Sequence, residues 1–284
     1  MLFRSKEIAE NELFIALPGE KTHGAKFAQE ALNKGAKAVL TDSIGAELID
    51  QNSIPVLVAN EVQNIAGEIS AYIYENPSQK MDVFGITGTN GKTTTTANLA
   101  KIIEWGTDEG VSTSQFGANM TSGIAAALSS SPQHRYVVLE CDEMYLPQVD
   151  TALRPRAVVL LNLSRDQLHR TGEVRKVAAL WHDHFSTRSD TTLVIDRDDP
   201  FLEFAASQAA AVTRVSFGGR RHPDAATCPA CGQILDWSTG DYHCSCGLGS
   251  AAADVHGVAG LTGPQRNLVL AVTAARLLGA QLDN

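Results

Sequence analysis

The sequence predicts an α/β fold built on a mostly parallel sheet, with a small α/β unit ahead of it and a cysteine-rich insertion inside it. Three observations lead there. Short apolar runs alternate with helical patterns along most of the chain, as expected of parallel strands buried on both faces. A glycine-rich segment ending Gly91-Lys92-Thr93 lies between one such run and a helix, and four of the five cysteines fall between 228 and 246. With 284 residues, 44% of them hydrophobic, the chain is too apolar to be disordered, yet no stretch approaches the ~20 apolar residues that span a bilayer. The net charge of −9 and the absence of any basic cluster longer than Gly219-Arg220-Arg221-His222 argue against a sequence-independent nucleic-acid binder. A nucleotide held by one loop stays open. The start, MLFRSKEIAENELF, lacks the apolar core of a secretory signal, so a cytoplasmic location is the default expectation.

Taken in order, the first eighty residues give an apolar run Leu13 to Leu17, a turn at Pro18-Gly19, a helical pattern from Ala25 to Asn33 and a strand-like Ala36 to Leu40. A further run, Ile54 to Ala59, leads into a helix from Val62 to Tyr74 that stops before Asn76-Pro77, and the polar stretch Asn76 to Lys80 reads as the linker. The domain boundaries are therefore 1–80 and 81–284. In the second part, strands are expected at Val83 to Thr87, Tyr136 to Glu140, Ala157 to Leu161, Thr192 to Ile195 and Ala211 to Phe217. Helices are expected around 92–104, 120–128, 173–186, 199–209 and 267–278. Residues 218–250 are Gly-rich, Cys-rich and without period, which marks an insertion.

Gly85-Ile86-Thr87-Gly88-Thr89-Asn90-Gly91-Lys92-Thr93 follows a β-type run and opens a helix, the context a phosphate-binding loop requires. Its glycines let backbone N–H groups turn towards β- and γ-phosphates, Lys92 neutralises charge, and the Thr93 hydroxyl is placed to ligate Mg²⁺. The general G-x-x-x-x-G-K-[ST] pattern would put its first glycine where Ile86 stands, so the loop is a variant. Glu140 ends a predicted strand, where parallel sheets present ligand-binding groups. Asn162 and Asp166 follow another strand, either lining the nucleotide site or capping the next turn. Cys228-Pro-Ala-Cys231 and Cys244-Ser-Cys246-Gly247, twelve residues apart, approach the spacing of a zinc ribbon in which four thiolates close a structural Zn²⁺ site. A redox dithiol is the weaker reading. Cys141 reads as a buried strand-end thiol, since no His or Asn pattern accompanies it as it would a nucleophile.

Thr87-Gly-Thr-Asn-Gly-Lys-Thr-Thr94 resembles the ATP loop of the Mur ligase family, the ATP-dependent amide-forming ligases of peptidoglycan precursor synthesis. The resemblance implies ATP and Mg²⁺ at Gly88, Thr89, Asn90, Gly91, Lys92, Thr93 and Thr94. Gly117-Ala-Asn-Met120, Leu139-Glu-Cys-Asp-Glu143 and Asn162-Leu-Ser-Arg-Asp-Gln-Leu168 are similar to MurT-type members, the synthetase-like subunits of lipid II isoglutaminyl synthase. That implies Glu140 as the magnesium-binding glutamate, Lys92 and Glu140 as the catalytic pair, lipid II as substrate, a glutaminase subunit resembling GatD as partner, and the zinc ribbon at about 222–250. Gln167 and Trp181, which MurT-type members share, depart from most of the family, whereas His169, where those members usually carry Asp, is a local deviation. Asp166-Gln167-Leu168-His169 stands where others have Asp-His-Leu-Asp, and Trp181 falls at the position of their carbamylated lysine, which puts the second metal site in doubt.

Residues 11–40 look instead like the UDP-binding N-terminal domain of MurE-type ligases, with the family's Asp-Ser-Arg segment falling on Arg4-Ser5-Lys6. Asn267 matches the second of two family asparagines near the adenine, and the first falls on Pro264. The chain stops at Asn284, before the family's C-terminal domain, which implies ATP binding with weak or no turnover. The leading expectation is a MurT-like subunit activating the D-glutamate α-carboxylate of lipid II. The alternatives are a MurE-like UDP-MurNAc-dipeptide:diamino acid ligase and a truncated, non-catalytic nucleotide-binding protein.

Overall fold

The computed structural model describes residues 5, 8–19, 22–50, 52–73, 75–114, 119, 124–125, 127–128, 133–164, 173–219, 222 and 224–279. The chain forms two compact units, residues 1–79 with 121–132, and residues 80–120 with 133–284. The 121–132 segment therefore counts with the first unit, whereas the sequence reading kept all of 81–284 together. Its described apolar residues Ile124, Ala125, Ala127 and Leu128 are buried. Most of the helix expected at 120–128 lies outside the described residues.

In the first unit, strands β1 (Leu13–Ile15), β2 (Ala38–Thr41) and β3 (Val56–Val58) form a parallel sheet in that order. Side chains alternate between faces along a strand, so Phe14 and Val39 share one core with Ala25, Ala28 and Ala31, while Ile15 and Leu40 share another with Val62 and Ala66. Helices α1 (Ala28–Asn33) and α3 (Val62–Ile73) supply those opposite covers. The helix expected from Ala25 is split: its first turn, Gly24–Phe27, is 3₁₀, with His23 Nδ1 accepting the Ala25 N–H at 3.0 Å. Helix α2 (Ser43–Glu47) was not legible as a period because it is one turn long; Asp42 caps it by accepting the Gly45 N–H at 2.7 Å.

The second unit runs β4 (Asp82–Thr87), α4 (Lys92–Thr107), β5 (Val111–Thr113), β6 (Tyr136–Glu140), α5 (Leu146–Leu153), β7 (Ala157–Leu160), α6 (Glu173–Phe185), β8 (Thr192–Asp196), α7 (Pro200–Ala206), β9 (Ala211–Ser216), β10 (Val255–His256) and α8 (Gly263–Arg276). Among the described residues, seven strands lie in the order β10-β9-β8-β7-β4-β6-β5, every pairing parallel. The α/β class with a parallel sheet is thus as the sequence predicts. Leu99 and Ile103 of α4 and Leu270 and Ala274 of α8 bury Phe84, Ile86, Val138, Val159 and Val194 on one face. Full burial of each large aliphatic side chain contributes about 1.5–3 kcal/mol. The helix expected at 199–209 is shorter, beginning at Pro200 behind the Asp199 cap and closing at Ser207. The short elements β5, α5 and β10 carry too few residues to show a period.

Strand β4 lies between β6 and β7, so the chain first builds β5 and β6 on one side and then crosses to build β7 to β10 on the other. A crevice opens outside the carboxyl ends of the strands where the order reverses in this way. The segments that leave β4, β6, β7 and β8 at that end are residues 88–91, 141–145, 161–164 and 197–199.

Candidate functional site

Gly91 is the N-cap of α4, with φ of 88° in the left-handed region, and Lys92 is the first helical residue. A side chain at 91 would be strained by that backbone and would run into Asn267 Nδ2; at Gly88, φ is 136° and a Cβ would approach the Asn162 carbonyl oxygen to 2.9 Å. Backbone crowding at Gly88 and the left-handed φ at Gly91 therefore both favour glycine, and the loop runs directly into the N-terminus of α4, where backbone N–H groups have no helical partner. Lys92 Nζ donates to the Gly88 carbonyl at 2.7 Å and lies 3.3 Å from Glu143 Oε2. Thr93 Oγ1 donates to Glu140 Oε2 at 2.7 Å. Glu140 is buried, 4% exposed, at the end of β6, where its backbone N–H donates to Ser114 Oγ at 2.8 Å. Two oxygens from neighbouring elements, one a carboxylate, thus meet beside the phosphate-type loop, a donor set suited to a hard cation such as Mg²⁺.

Asn162 does something the sequence reading did not anticipate. Its Oδ1 accepts the Asn90 N–H at 3.1 Å and its Nδ2 donates to the Asn90 carbonyl at 2.8 Å, so the amide stitches the loop to the end of β7. The Thr89 N–H donates to the Asn162 carbonyl at 2.9 Å, and the Ser164 N–H donates to Thr89 Oγ1 at 3.1 Å. Asp166 lies outside the described residues, as do Gly117, Ala118 and Met120; the Asn119 carbonyl accepts the Asp142 N–H at 2.9 Å.

Beside the loop is a cavity of about 480 Å³, walled by Gly91, Thr94, Thr95 and Asn98 of the loop and α4, Asn267 and Arg266 of α8, Asp196 at the end of β8, and Asp198 and Asp199 just after it. That acidic wall was missed in the sequence, although its place at the carboxyl end of a buried parallel strand was the available signal. Burial pushes the Asp196 carboxyl up to about 7; Arg266 opposes that, and Asp198 and Asp199 add to it. Burial would lower His222, but the Asp199 carboxylate 3.4 Å away outweighs it and raises the imidazole. Burial likewise drives the Cys141 thiol up to about 12, which leaves it protonated and inert near neutrality.

The four cysteines of the insertion come together. Cys228 Sγ lies 3.6 Å from Cys246 Sγ, Cys231 Sγ lies 3.4 Å from Cys244 Sγ, and all four sulfurs are within 4.8 Å of one another. Two similar turns present them: the Gly232 N–H donates to the Cys228 carbonyl and the Gly247 N–H to the Cys244 carbonyl, both at 2.9 Å, with φ of 84° and 98° at the glycines. A tetrahedron of thiolates at Zn–S distances of ~2.3 Å has S–S edges of about 3.8 Å, close to the observed pairs. The backbone N–H of Cys246 holds the Cys244 thiol down at about 7, while burial raises Cys228 to about 12. The insertion is tied to the cavity wall. Arg197, between Asp196 and Asp198, pairs with Asp241, donates to the Ala251 carbonyl at 2.6 Å, and accepts the Tyr242 hydroxyl on its own carbonyl at 3.2 Å.

Comparisons with known proteins fall in line with this geometry. Residues 86–237 match the model described as the Mur ligase middle domain, and residues 2–75 match the one described as the Mur ligase family, catalytic domain. The chain is 43% identical over 102 residues to the UDP-N-acetylmuramoyl-L-alanyl-D-glutamate–2,6-diaminopimelate ligase of Streptomyces avermitilis, covering 36% of this chain and 19% of that protein. It is 29% identical over 202 residues to the lipid II isoglutaminyl synthase (glutamine-hydrolysing) subunit MurT of Staphylococcus aureus strain COL, covering 65% and 45%. Among solved structures, the MurF ligase of Thermotoga maritima in complex with ADP superposes with a TM-score of 0.70 at 19% identity, covering 99% of this chain and 64% of that one. The chain thus spans less than half the length of these curated relatives.

Proposed function

Since the chain belongs to the Mur ligase family, a family of ATP-dependent carbon–nitrogen ligases, we propose that it binds ATP with Mg²⁺ in the crevice at the carboxyl end of β4 and acts as a MurT-like activating subunit. One observation carries the nucleotide reading: Lys92 and Thr93 open α4 on a glycine-built loop, with Glu140 2.7 Å from Thr93 and an adjoining cavity large enough for a nucleoside. Thr93 and Glu140 would hold Mg²⁺, which supplies charge neutralisation on the phosphates. The backbone N–H groups that open α4 and Lys92 bind and orient the triphosphate, and the Asn162–Asn90 pairs, which take up the Asn90 N–H, fix the loop that leads into them. The cavity beside Asn267 receives the base and ribose. In the reaction proposed, a carboxylate oxygen of D-glutamate in the lipid II stem attacks the γ-phosphorus and ADP leaves. Ammonia from a glutaminase subunit then adds to the acyl phosphate carbonyl, phosphate departs, and one proton is lost to give D-isoglutamine.

Four thiols in one cluster support the choice of a MurT-like reading and of structural Zn²⁺, since four thiolates leave no open position for catalysis. A MurE-like ligase is the second reading, favoured by the higher identity to the Streptomyces diaminopimelate ligase over its 102 residues. ATP consumption separates the two. It is measured with lipid II, glutamine and a glutaminase subunit, and separately with UDP-MurNAc-dipeptide and diaminopimelate. Turnover confined to the second mixture rejects the leading reading. Failure of the chain to bind Mg-ATP in calorimetry rejects both.

A further inference from the structure

Glu143 is an acidic side chain for which the proposed chemistry has no use, yet it sits against the lysine that chemistry depends on. Its Oε2 is 3.3 Å from Lys92 Nζ, and both side chains are largely buried, at 18% and 13% exposure. Among the described residues, the ammonium's other partner is the Gly88 carbonyl at 2.7 Å. Glu143 is also held from behind. Trp181, the largest fully buried side chain among the described residues, donates its indole N–H to the Glu143 carbonyl at 2.9 Å. The same short segment is fixed at its front by the Met144 N–H on Asp142 Oδ1 at 3.0 Å and by the Asp142 N–H on the Asn119 carbonyl. A glutamate on a free loop would swing out to water; this one is kept facing the loop. Glu140, three residues earlier, is engaged by Thr93, so the two carboxylates divide the first two residues of α4 between them.

We propose that Glu143 is a positioning residue that occupies Lys92 in the nucleotide-free loop as an internal stand-in for phosphate, with Trp181 as the brace that fixes it there. The proposal rests on the ATP reading above. An ammonium paired with a partly buried carboxylate is already extended along the loop, so the site is preorganised for a phosphate oxygen. The same carboxylate competes with that oxygen for Lys92, and once the ammonium turns to the nucleotide it repels the phosphate charge. Glu143 thereby trades ground-state nucleotide affinity for a loop that is filled and ordered when empty. The competition is felt by groups that reach Lys92, the β- and γ-phosphates, and not by a nucleoside monophosphate seated only in the adjoining cavity.

The test compares the intact chain with Glu143→Gln and with Trp181→Phe, measuring Kd for Mg-ATP and for AMP by calorimetry at fixed salt. Glu143→Gln is expected to tighten Mg-ATP about threefold to tenfold, the range of a partly screened charge pair, and to move AMP by less than about twofold. Trp181→Phe keeps the buried ring and removes only the donor; it should shift Mg-ATP the same way by a smaller factor, and add nothing in the Glu143→Gln background. Unchanged or weaker Mg-ATP binding by Glu143→Gln overturns the proposal, the weaker outcome marking Glu143 as a metal ligand. Equal shifts for ATP and AMP also overturn it, because they signal a general change in the site. If the wild-type chain binds neither nucleotide, the failure belongs to the ATP reading instead.

Discussion

Replacing Asn162 with alanine tests whether the loop is held by the strand beside it. The substitution removes the hydrogen bonds at 3.1 and 2.8 Å between the Asn162 amide and the Asn90 backbone, and leaves β7 itself intact. Both bonds are solvent-exposed, so each belongs near the lower end of the usual net range, about 0.5–1 kcal/mol, or about 1–2 kcal/mol together. The freed loop must then be reordered when nucleotide binds, and that cost appears in the affinity: about fivefold to thirtyfold weaker Mg-ATP at 25 °C. Global stability should change by less than about 1 kcal/mol, because the loop released in the nucleotide-free protein regains chain freedom that offsets the lost bonds, while the backbone bond from the Thr89 N–H to the Asn162 carbonyl survives. Calorimetric titration with Mg-ATP, paired with urea unfolding, reads both quantities. An affinity within twofold of wild type would refute the reasoning, since the stitch would then do nothing for the loop's aim.

Four further outcomes follow from other parts of the second unit. Gly91→Ala combines a left-handed backbone with a collision at Asn267, so it should lose about 1–2 kcal/mol of stability in urea unfolding and most of its ATP binding in calorimetry. Asp150, fully buried, takes His184 at 2.8 Å, Arg188 at 2.9 Å and Thr191 at 2.9 Å; Asp150→Ala should cost about 3–5 kcal/mol in urea unfolding and leave the nucleotide Kd of the folded fraction unchanged. The Asp196 carboxyl, at about 7 when folded and near 4 when unfolded, keeps its proton in the native state across that window. Its contribution to stability is present below the window and is lost as pH rises through it, so the wild type should fall relative to Asp196→Asn between about pH 4 and 7 in parallel urea melts. Metal analysis should find about one zinc per chain and none in Cys231→Ser, and that variant should melt ~5 °C lower by calorimetry.

The sheet was legible because its strands are buried on both faces: Val83 to Thr87, Tyr136 to Glu140 and Ala157 to Leu161 read as short apolar runs in sequence and lie side by side within the sheet. The loop was legible because glycine and lysine spacing is a backbone requirement written directly in residue types, as the collision at Gly91 shows. What stayed hidden depended on contacts between distant segments. Nothing near Asn162 announces that its amide will meet Asn90, seventy-two positions earlier, and nothing near Trp181 announces its bond to the Glu143 carbonyl. The one-turn helix α2 and two-residue strand β10 were hidden for another reason: elements that short are set by caps and neighbours, not by a period.

The place of the cysteine insertion has a physical consequence that its sequence alone did not suggest. It is spliced between β9 and β10, at the edge of the sheet farthest from β5 and β6, which by order alone would keep it remote from the β4 loop. Yet Arg197, in the segment that follows β8, pairs with Asp241, donates to the Ala251 carbonyl and receives the Tyr242 hydroxyl, while its neighbours Asp196 and Asp198 face the cavity and meet Arg266 of α8. Tyr242 is buried within two residues of Cys244, so the order of the cysteine turns and the order of this arginine are coupled by a single short stretch of chain. A closed four-thiolate site would rigidify that stretch, because it fixes both turns at once. The acidic wall of the cavity is therefore supported from outside the sheet. If the four thiolates hold zinc, chelating it should loosen the backbone beside Asp196 and Asp198 before it disturbs the loop at Gly88 to Thr93, an order that amide hydrogen exchange on chelated protein would read residue by residue.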